Sequence, residues 1–363
     1  MKHLQGDDPS MTSPTRSLPR TGTCAAIAVV LAAGSTVALT GTASAQTRPA
    51  APAVTTAPVT NGLYQSSYSE RNHVLWTTSS VGRPPVTNSA LTKVDPLTLK
   101  VKATYTPPVT DAATGAVEAV YGVAVDDEHN TVWTTNTRNN SVAVYSQRTG
   151  KHLATLPNVA HAREIVVDAR RDTVWASAFG DGTLVAFDSR TLKEKKRVTV
   201  EGSGPAGLAL DEKSGTVYAA DLTNDQIIQV ATGSTAPRLV PAGDGPISVS
   251  LSKDGRTAYT ANQTGGDVSV VDLSKGLVTK SVATGAGPLS VATDTRTGNV
   301  LVVNRTDATV SVVSPRKGAV VETVTVGANP NHVEITGGSA YVVDKSGAGA
   351  DGKDQLHRIR LAR

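Results

Sequence analysis

Two short clusters of polar residues could bind a ligand or catalyse a reaction. His161, Arg163 and Glu164 lie in "AHARE", and Asn331 and His332 lie in "NPNH". A histidine beside a carboxylate could move protons, and carboxylates with an asparagine oxygen could hold a hard cation. Residues at corresponding places in other parts of the chain complete the candidate ligand-binding set: Gln65, Glu118 and Tyr121.

Several enzyme classes can be tested against this set. A metal-dependent lactonase would use Glu118, Glu164 and Asn331, but their spacing matches no metal motif. A copper site would need a cluster of histidines, and only His161 and His332 fall in the right place. The chain has no CxxCH haem motif, no phosphate-binding glycine loop and no serine nucleophile elbow. We therefore predict no catalytic residue, metal or cofactor, and we favour a non-enzyme.

The segments that must position these residues belong to a repeat. Short apolar strands recur 42, 43, 41, 42 and 42 residues apart. An upstream copy at 66–80 aligns with 123–137 and carries an insertion around 107–119, which makes seven units. The regularly spaced copies begin at Val123, Ile165, Leu208, Val249, Val291 and Val333.

Each unit contains four strand-like segments separated by turns. Four strands repeated at roughly 42 residues are typical of propeller blades, which bury their faces against neighbouring blades. The last unit stops after its third strand, and "PAVTTAPV" at 52–59 could supply the fourth. The predicted fold is an all-β, seven-bladed β-propeller of four-stranded antiparallel blades, closed by an N-terminal strand. The alternative for 46–60 is a disordered tail.

One large side chain per blade occupies a matching position in the second strand. We interpret this set as a structural core ring whose members are wedged between adjacent blades, where each aromatic side chain buries about 150–250 Å². A stacking platform for a ligand is the alternative. The aromatic members of the ring are Trp76, Trp133, Trp175, Tyr218, Tyr259 and Tyr341.

The candidate ligand-binding residues precede the first strands of their units. In a propeller, the loops at this point converge on one mouth of the central channel, where ligands usually bind. The basic residues Arg138, Arg163, Arg305 and Lys345 are expected on loops of the same face. Aspartates at corresponding loop positions oppose them, so any nucleic-acid binding there is expected to be weak and salt-sensitive.

The N-terminal region has the pattern of a secretory signal peptide. Lys2, Arg16 and Arg20 precede an apolar run at 24–40, and "ASA" at 43–45 suits a signal peptidase, with Gln46 as the mature start. Met1 and Met11 are both candidate start residues. The alternative is an anchoring helix. Removal of the leader would also remove the single cysteine, Cys24, so no disulfide is expected.

These patterns divide the chain into a signal peptide at 1–45, a Pro/Ala/Thr-rich closing segment at 46–60 and a propeller at 61–363. Positive and negative charges are nearly balanced, with a net charge of +4, so no strong nucleic-acid field is predicted. After cleavage we expect no membrane span, and a monomer that is secreted or resides in the periplasm or cell envelope.

The repeat also resembles a known family. "VWTTN", "VYAAD", "AYTAN", "VLVVN" and "AYVVD", with following segments such as "DVSVV", resemble the WD40/YVTN-like β-propeller repeat. With the leader and the loops "GSGP", "GDGP", "GAGP" and "GANP", the chain resembles exported propeller proteins of the YncE type. The resemblance implies an exported binding protein and weak single-stranded DNA binding. "VWASAF" in the third unit departs from the motif.

Together these observations favour an exported, non-catalytic β-propeller that binds an unknown ligand, or an envelope or extracellular partner, at its channel mouth. A lactonase-like or other propeller hydrolase that uses Glu164 and His332 at the same mouth is the alternative.

Overall fold

The computed structural model describes residues 53–362. The predicted signal peptide at 1–45 and the first part of the closing segment, 46–52, lie outside the described residues. The described chain consists of thirty β-strands and three single-turn 3-10 helices, at Thr137–Asn139, Ala169–Arg171 and Ala350–Gly352. Within it, no helix is long and apolar enough to span a bilayer.

The strands form seven antiparallel four-stranded blades, which confirms the predicted fold class. Strand β1 (Val54–Pro58) precedes blade one, which consists of β2 (Leu63–Ser69), β3 (Val74–Val81), β4 (Asn88–Val94) and β5 (Val101–Tyr105). The insertion that follows forms a separate hairpin, β6 (Val109–Asp111) and β7 (Ala116–Val117). Blade two consists of β8 (Val123–Asp126), β9 (Thr131–Asn136), β10 (Ser141–Ser146) and β11 (His152–Pro157).

The next three blades repeat this up-and-down order without insertions. Blade three consists of β12 (Ala162–Asp168), β13 (Thr173–Ala178), β14 (Thr183–Asp188) and β15 (Glu194–Thr199). Blade four consists of β16 (Pro205–Asp211), β17 (Thr216–Asp221), β18 (Gln226–Val230) and β19 (Arg238–Pro241). Blade five consists of β20 (Pro246–Leu251), β21 (Thr257–Asn262), β22 (Asp267–Asp272) and β23 (Leu277–Ala283).

The last two blades complete the ring. Blade six consists of β24 (Pro288–Asp294), β25 (Asn299–Asn304), β26 (Thr309–Ser314) and β27 (Ala319–Thr325). Blade seven takes β28 (Pro330–Thr336), β29 (Ser339–Asp344) and β30 (Gln355–Arg360) from the C-terminal end and β1 from the N-terminal end. The first strand of each blade lies beside the first strands of its neighbours, and β28 lies beside β2, so these seven strands surround the central channel.

Aspartates fix several of the hairpins that join third and fourth strands. In the turn after β22, one carboxylate oxygen of Asp272 accepts hydrogen bonds from the backbone amides of Ser274 and Lys275. Gly276 follows with a positive φ of 67°, a conformation that glycine adopts without steric cost. Asp95 and Asp188 accept equivalent pairs of backbone bonds in their own turns. The turn positions are therefore set by local sequence.

The large side chains of the second strands lie between adjacent blades. Trp133 of blade two, for example, packs in one cluster with Ile165 and Val174 of blade three. Every member is at most 6% exposed, so each blade covers its apolar face with a wedge from the previous blade. Leu301 takes this place in blade six, and the ring consists of Trp76, Trp133, Trp175, Tyr218, Tyr259, Leu301 and Tyr341.

The two ends of the described chain meet in blade seven. Strand β1 pairs antiparallel with β30, from Val54 opposite Ile359 to Pro58 opposite Gln355. The Thr56 hydroxyl also makes a 2.8 Å hydrogen bond with Nδ1 of the buried His357. The predicted closing strand is therefore confirmed, and it protects the backbone edge of β30 from solvent.

Removal of this strand provides a stability test. A mature chain truncated from its N-terminus through residue 58, and so without β1, should unfold roughly 10 °C below the full mature chain. The reason is that several backbone hydrogen bonds of about 1 kcal/mol each are lost with residues 53–58. A chain that begins at residue 53 keeps β1 and is the matched control. Thermal unfolding followed by circular dichroism measures the difference, and equal melting temperatures for the two truncations would contradict the closing role of β1.

Candidate functional site

A β-bulge near the start of the first strands shapes the channel. In β12, for example, Ala162 lies opposite Ala178 and Ile165 lies opposite Ala176, so the inner strand has one extra residue. Bulges often re-aim side chains, and here both Arg163 and Glu164 line the channel. First strands of six blades share this irregularity: β2, β12, β16, β20, β24 and β28.

The repeat spacing therefore brings two residues from every blade to one cavity of about 360 Å³ at the channel mouth. The outer position holds Tyr64, Tyr121, Arg163, Ala206, Ile247, Leu289 and Asn331. The adjacent position, which continues into the channel, holds Gln65, Gly122, Glu164, Gly207, Ser248, Ser290 and His332.

Most of the residues predicted from the sequence lie at this cavity. Its lining includes seven of the eight predicted ligand-binding residues: Gln65, Tyr121, His161, Arg163, Glu164, Asn331 and His332. These seven residues come from blades one, two, three and seven. At the two paired positions, blades four to six contribute only small or aliphatic side chains, although Gln263 of blade five and Arg305 of blade six reach the cavity from loops. The paired positions thus give the mouth a polar side and a largely apolar side.

Glu118 is the exception, and its predicted place at the mouth needs correction. The side chain is buried, and its carboxylate accepts hydrogen bonds from Asn136 Nδ2 at 3.1 Å and Thr155 Oγ1 at 2.6 Å. Glu118 follows the inserted hairpin, and its backbone amide bonds the carbonyl of Pro108. This local path turns the carboxylate toward the interior of blade two, away from the channel.

Arg163 presents a cation to the mouth without an acidic partner. Its guanidinium carbon lies 4.2 Å from the centre of the Phe179 ring, which fixes the group by a cation–π contact. Within residues 53–362, this guanidinium has no ion pair and donates no hydrogen bond. Burial lowers the pKa of Arg163, and burial together with Arg163 and Arg138 lowers that of His161. An anion here would relieve the uncompensated charge.

Arg305 and Lys345 add two more cations near Tyr64. Arg305 donates to Asn331 Oδ1, while its buried Nε has no partner among the described residues. The Lys345 ammonium lies 3.0 Å from the Tyr64 ring centre. Burial, with a smaller effect of Arg305, lowers the pKa of Lys345 to about 7. Neither cation has an acidic partner within ion-pair distance in the described chain.

Two aromatic residues that the sequence patterns did not single out support this mouth: Tyr64 lines it, and Phe179 lies against Arg163. The Tyr64 and Tyr121 rings meet edge to face with centres 4.4 Å apart. The signal for Tyr64 was present, because the alignment of 66–80 with 123–137 places Tyr64 opposite Tyr121. Phe179 belongs to the "VWASAF" segment that departs from the repeat, so repeat comparison gave it no counterpart.

One hydrogen-bonded bridge spans the channel wall below the mouth. Gln65 of blade one donates from Nε2 to Glu164 of blade three at 2.8 Å, and its Oε1 accepts from the Val123 amide. Gly122 of the intervening blade makes room for this bridge. A Cβ at position 122 would lie 2.6 Å from both the Arg163 carbonyl oxygen and Thr135 Oγ1. The spacing therefore requires glycine between Gln65 and Glu164.

Two further ionisable residues of β28 face the channel. His332 Nδ1 accepts from the Ser66 amide at 3.4 Å, and Glu334 Oε1 accepts from the Tyr68 amide at 3.2 Å. Burial lowers the pKa of His332 to about 4. Burial raises the pKa of Glu164 to about 7, against the opposing hydrogen bonds from Gln65 and Ile165. The His332 imidazole is therefore neutral at neutral pH, and the Glu164 carboxyl titrates near pH 7.

The channel continues below the mouth as a second cavity of about 320 Å³. The two cavities share Glu164, Ser248, Ser290 and His332, and the second one also contains Glu334. In the part of the chain that the structure describes, no three His, Cys, Asp or Glu residues are grouped as metal ligands. Glu118, which the lactonase-like arrangement needs, is engaged by Asn136 and Thr155.

Comparison with known proteins supports the fold and the type of propeller. No family model matches the sequence. The chain is 26% identical over 180 residues to "Uncharacterized protein YncE" of Escherichia coli O157:H7, covering 47% of this chain and 48% of that protein. It is also 26% identical over 187 residues to the YncE protein of Salmonella typhi, covering 48% and 50%. The chain thus matches about half the length of these curated relatives.

Solved structures share the architecture at low sequence identity. Virginiamycin B lyase from Staphylococcus aureus is 14% identical, with a TM-score of 0.68 over 86% of this chain and 100% of the lyase. A streptogramin B lyase is 12% identical, with a TM-score of 0.67 over 86% of this chain and 98% of that protein. At this identity the likeness concerns the propeller fold alone.

The pKa of Glu334 predicts how stability depends on pH. Burial, and to a lesser degree Glu164, raises it to about 7 from 4.5 in the unfolded chain. The folded state therefore holds this proton more tightly, so Glu334 lowers stability as the pH rises from about 4.5 to about 7.

Glu334→Gln removes this cost and keeps an acceptor for the Tyr68 amide. The variant should be more stable than wild type at about pH 8, by roughly 1–3 kcal/mol, and close to wild type at about pH 4.5. Urea unfolding at both pH values measures this, with the exposed Glu201→Gln as control. A gain of the same size at both pH values would show that ionisation is not its cause.

Proposed function

We propose that this chain, a seven-bladed β-propeller of the YncE type, is an exported, non-catalytic binding protein that takes an anionic ligand at its channel mouth. The observation that carries the proposal is the set of three partly buried cations, Arg163, Arg305 and Lys345, without an acidic partner within ion-pair distance in residues 53–362. Their pKa values are lowered by burial, so the folded chain carries an unfavourable concentration of positive charge at one opening.

A bound anion would compensate this positive charge. Taking a cation out of water without a counter-ion is costly, and proteins normally pair such groups. A hydrogen bond to a charged group is worth about 1.5–3 kcal/mol, so an anion that reaches two of these cations gains enough for specific binding. Phe179 and Tyr64 already hold Arg163 and Lys345 in place, which reduces the entropy lost on binding.

The opposite side of the mouth indicates an apolar part of the ligand. Ile247, Leu289 and Leu222 line the same cavity and offer no charge. An amphipathic anion would contact both sides, with its acid group on the cations and its apolar body on these side chains. A free molecule or an exposed group on an envelope or extracellular partner would satisfy this chemistry, and the propeller would act as a monomer.

Single-stranded DNA, which the YncE resemblance implies, is one polyanion of this kind. Arg138, Arg305 and Lys345 lie near Tyr64, where a phosphate backbone could be held. One face of the Tyr64 ring is covered by Lys345, and its edge contact with Tyr121 occupies further ring surface. Base stacking is therefore restricted, and weak, salt-sensitive binding is expected.

A hydrolase or lyase at the same mouth is a second candidate that one observation favours. The carboxyl of Glu164, with a pKa near 7, is suited to general acid–base catalysis. The neutral His332 lies in the same channel, although its Nδ1 is occupied by the Ser66 amide. Recovery of each bound probe unchanged after long incubation would count against this candidate.

Anion binding can be tested by isothermal titration of the mature protein with citrate, tripolyphosphate and a short thymidine oligonucleotide. Arg163→Ala and Arg305→Ala should each weaken binding roughly tenfold or more, because each removes a charged hydrogen-bond donor. Binding to wild type should also weaken as salt increases.

The control for this experiment is Lys275→Ala, which removes an exposed cation from the outer turn after β22. Its side chain is 68% exposed and lies 3.4 Å from Asp272. The Lys275→Ala variant should bind every probe with the affinity of wild type. Equal affinities for the mouth variants, the control and wild type would remove the mouth as the binding site.

Export is supported by the sequence of residues 1–45 and has its own test. Expression of the full chain in a secreting bacterial host should give a processed protein outside the cytoplasm whose N-terminal residue is Gln46. N-terminal sequencing and mass spectrometry of the fractions measure this. An unprocessed chain confined to the cytoplasm, with a control secretory protein exported normally, would contradict export.

A further inference from the structure

The charges of the channel are separated along its length. Arg163 and Arg305 line only the mouth cavity, and Lys345 lies against Tyr64 of the same cavity. Glu164 and Glu334 line the second cavity, in which no lysine or arginine takes part. The bulge in β12 produces this separation for the two consecutive residues 163 and 164, because one joins the mouth alone and the other also joins the lower cavity.

From this arrangement we infer that the ligand is dipolar, with an acid group held by the cations at the mouth and an ammonium group directed toward Glu164 and Glu334. This inference rests on the proposed anion-binding function and adds the second half of the ligand. The chemical class of the ligand is a small molecule with separated acid and ammonium groups, such as an amino acid or a short peptide.

The lower cavity has the partners that an ammonium group needs. Neither Glu164 nor Glu334 has a cationic partner within ion-pair distance among residues 53–362. Their hydrogen bonds come from neutral donors, namely Gln65 and backbone amides. An ammonium group supplies three donors and a positive charge, so it would compensate both carboxylates at once.

The remaining groups around this cavity do not compete for that role. His332 accepts the Ser66 amide at Nδ1 and is neutral, so it brings no charge. Glu212, at the exposed end of the cavity, adds a further negative charge. Ser248 and Ser290 accept the amides of Val291 and Val333, which leaves their hydroxyls as neutral lining. The lower channel therefore favours cations and the mouth favours anions.

Three matched probes separate the two halves of the ligand: ε-aminocaproate, its amine-free analogue caproate, and its acid-free analogue hexylamine. A shorter pair, γ-aminobutyrate and butyrate, tests a smaller charge separation. Isothermal titration is carried out at about pH 8, where the two carboxyls are largely ionised, Lys345 is largely neutral, and Arg163 and Arg305 supply the positive charge of the mouth. It should show at least one dipolar probe binding roughly tenfold more tightly than its amine-free analogue.

The variants assign the gain to the two glutamates. The double substitution Glu164→Gln and Glu334→Gln should abolish the affinity advantage of the dipolar probe over its amine-free analogue in the same variant. Arg163→Ala should weaken the binding of the dipolar and the amine-free probe by a similar factor. Glu201→Gln, which changes an exposed glutamate, is the control for loss of one negative charge, and circular dichroism checks that each variant is folded.

The outcomes distinguish the inference from the proposed function. In one outcome, the dipolar and the amine-free probe both bind in a manner that depends on Arg163, yet with equal affinity in wild type. In that case the anion site stands and the dipolar ligand is excluded. An advantage that persists in the double variant also overturns the inference. If neither the dipolar nor the amine-free probe binds, or if Arg163→Ala leaves their affinities unchanged, the proposed anion site is wrong and the inference is wrong with it.

Discussion

Mutual coverage of the blades is the constraint on which this molecule depends. Each four-stranded sheet is apolar on both faces, so neither face is protected until a neighbouring blade covers it. The wedge residues show how this is achieved, since Trp133 packs on blade three and Tyr341 packs on blade one. Such a series has no natural end, and only a closed ring leaves no blade uncovered. The pairing of β1 with β30 completes the last blade of that ring.

Closure also determines where chemistry can occur. The seven innermost strands converge on the axis, and a bulge in most of them brings two successive side chains into one channel. Side chains in the strand interiors pack between blades, so the chemical differences between blades that face the channel lie at these paired positions. Blades four to six fill them with alanine, glycine, serine and aliphatic residues. At the same positions blades one, two, three and seven supply aromatic, charged and polar groups, and this asymmetry gives the channel a polar side, to which Arg305 of blade six is added from a loop.

Charged groups on the polar side of the channel lack partners of opposite charge among the described residues. Some partly buried cations elsewhere in the described chain have an acidic partner, as in the contact of Arg171 with Asp168 at 3.0 Å. At the mouth, Arg163 rests on an aromatic ring and Lys345 rests on another, without acids. Deeper in the channel, Glu164 and Glu334 have only neutral donors. The free energy that these groups would gain from a complementary ligand is the physical basis of the proposed binding function.

The sequence by itself determined the number of blades, the strand order, the wedge ring and the need for a closing strand. These features follow from local periodicity and from the rule that apolar faces must be covered, so they could be read without coordinates. It also placed most of the mouth residues, because repeat phase fixes position along a first strand. Glu118 failed this rule because an inserted hairpin redirects the chain before β8. The tertiary structure alone decided which cations lack partners, that Gln65 reaches Glu164 across Gly122, and that opposite charges occupy different depths. These are relations between side chains of different blades, which sequence spacing cannot specify.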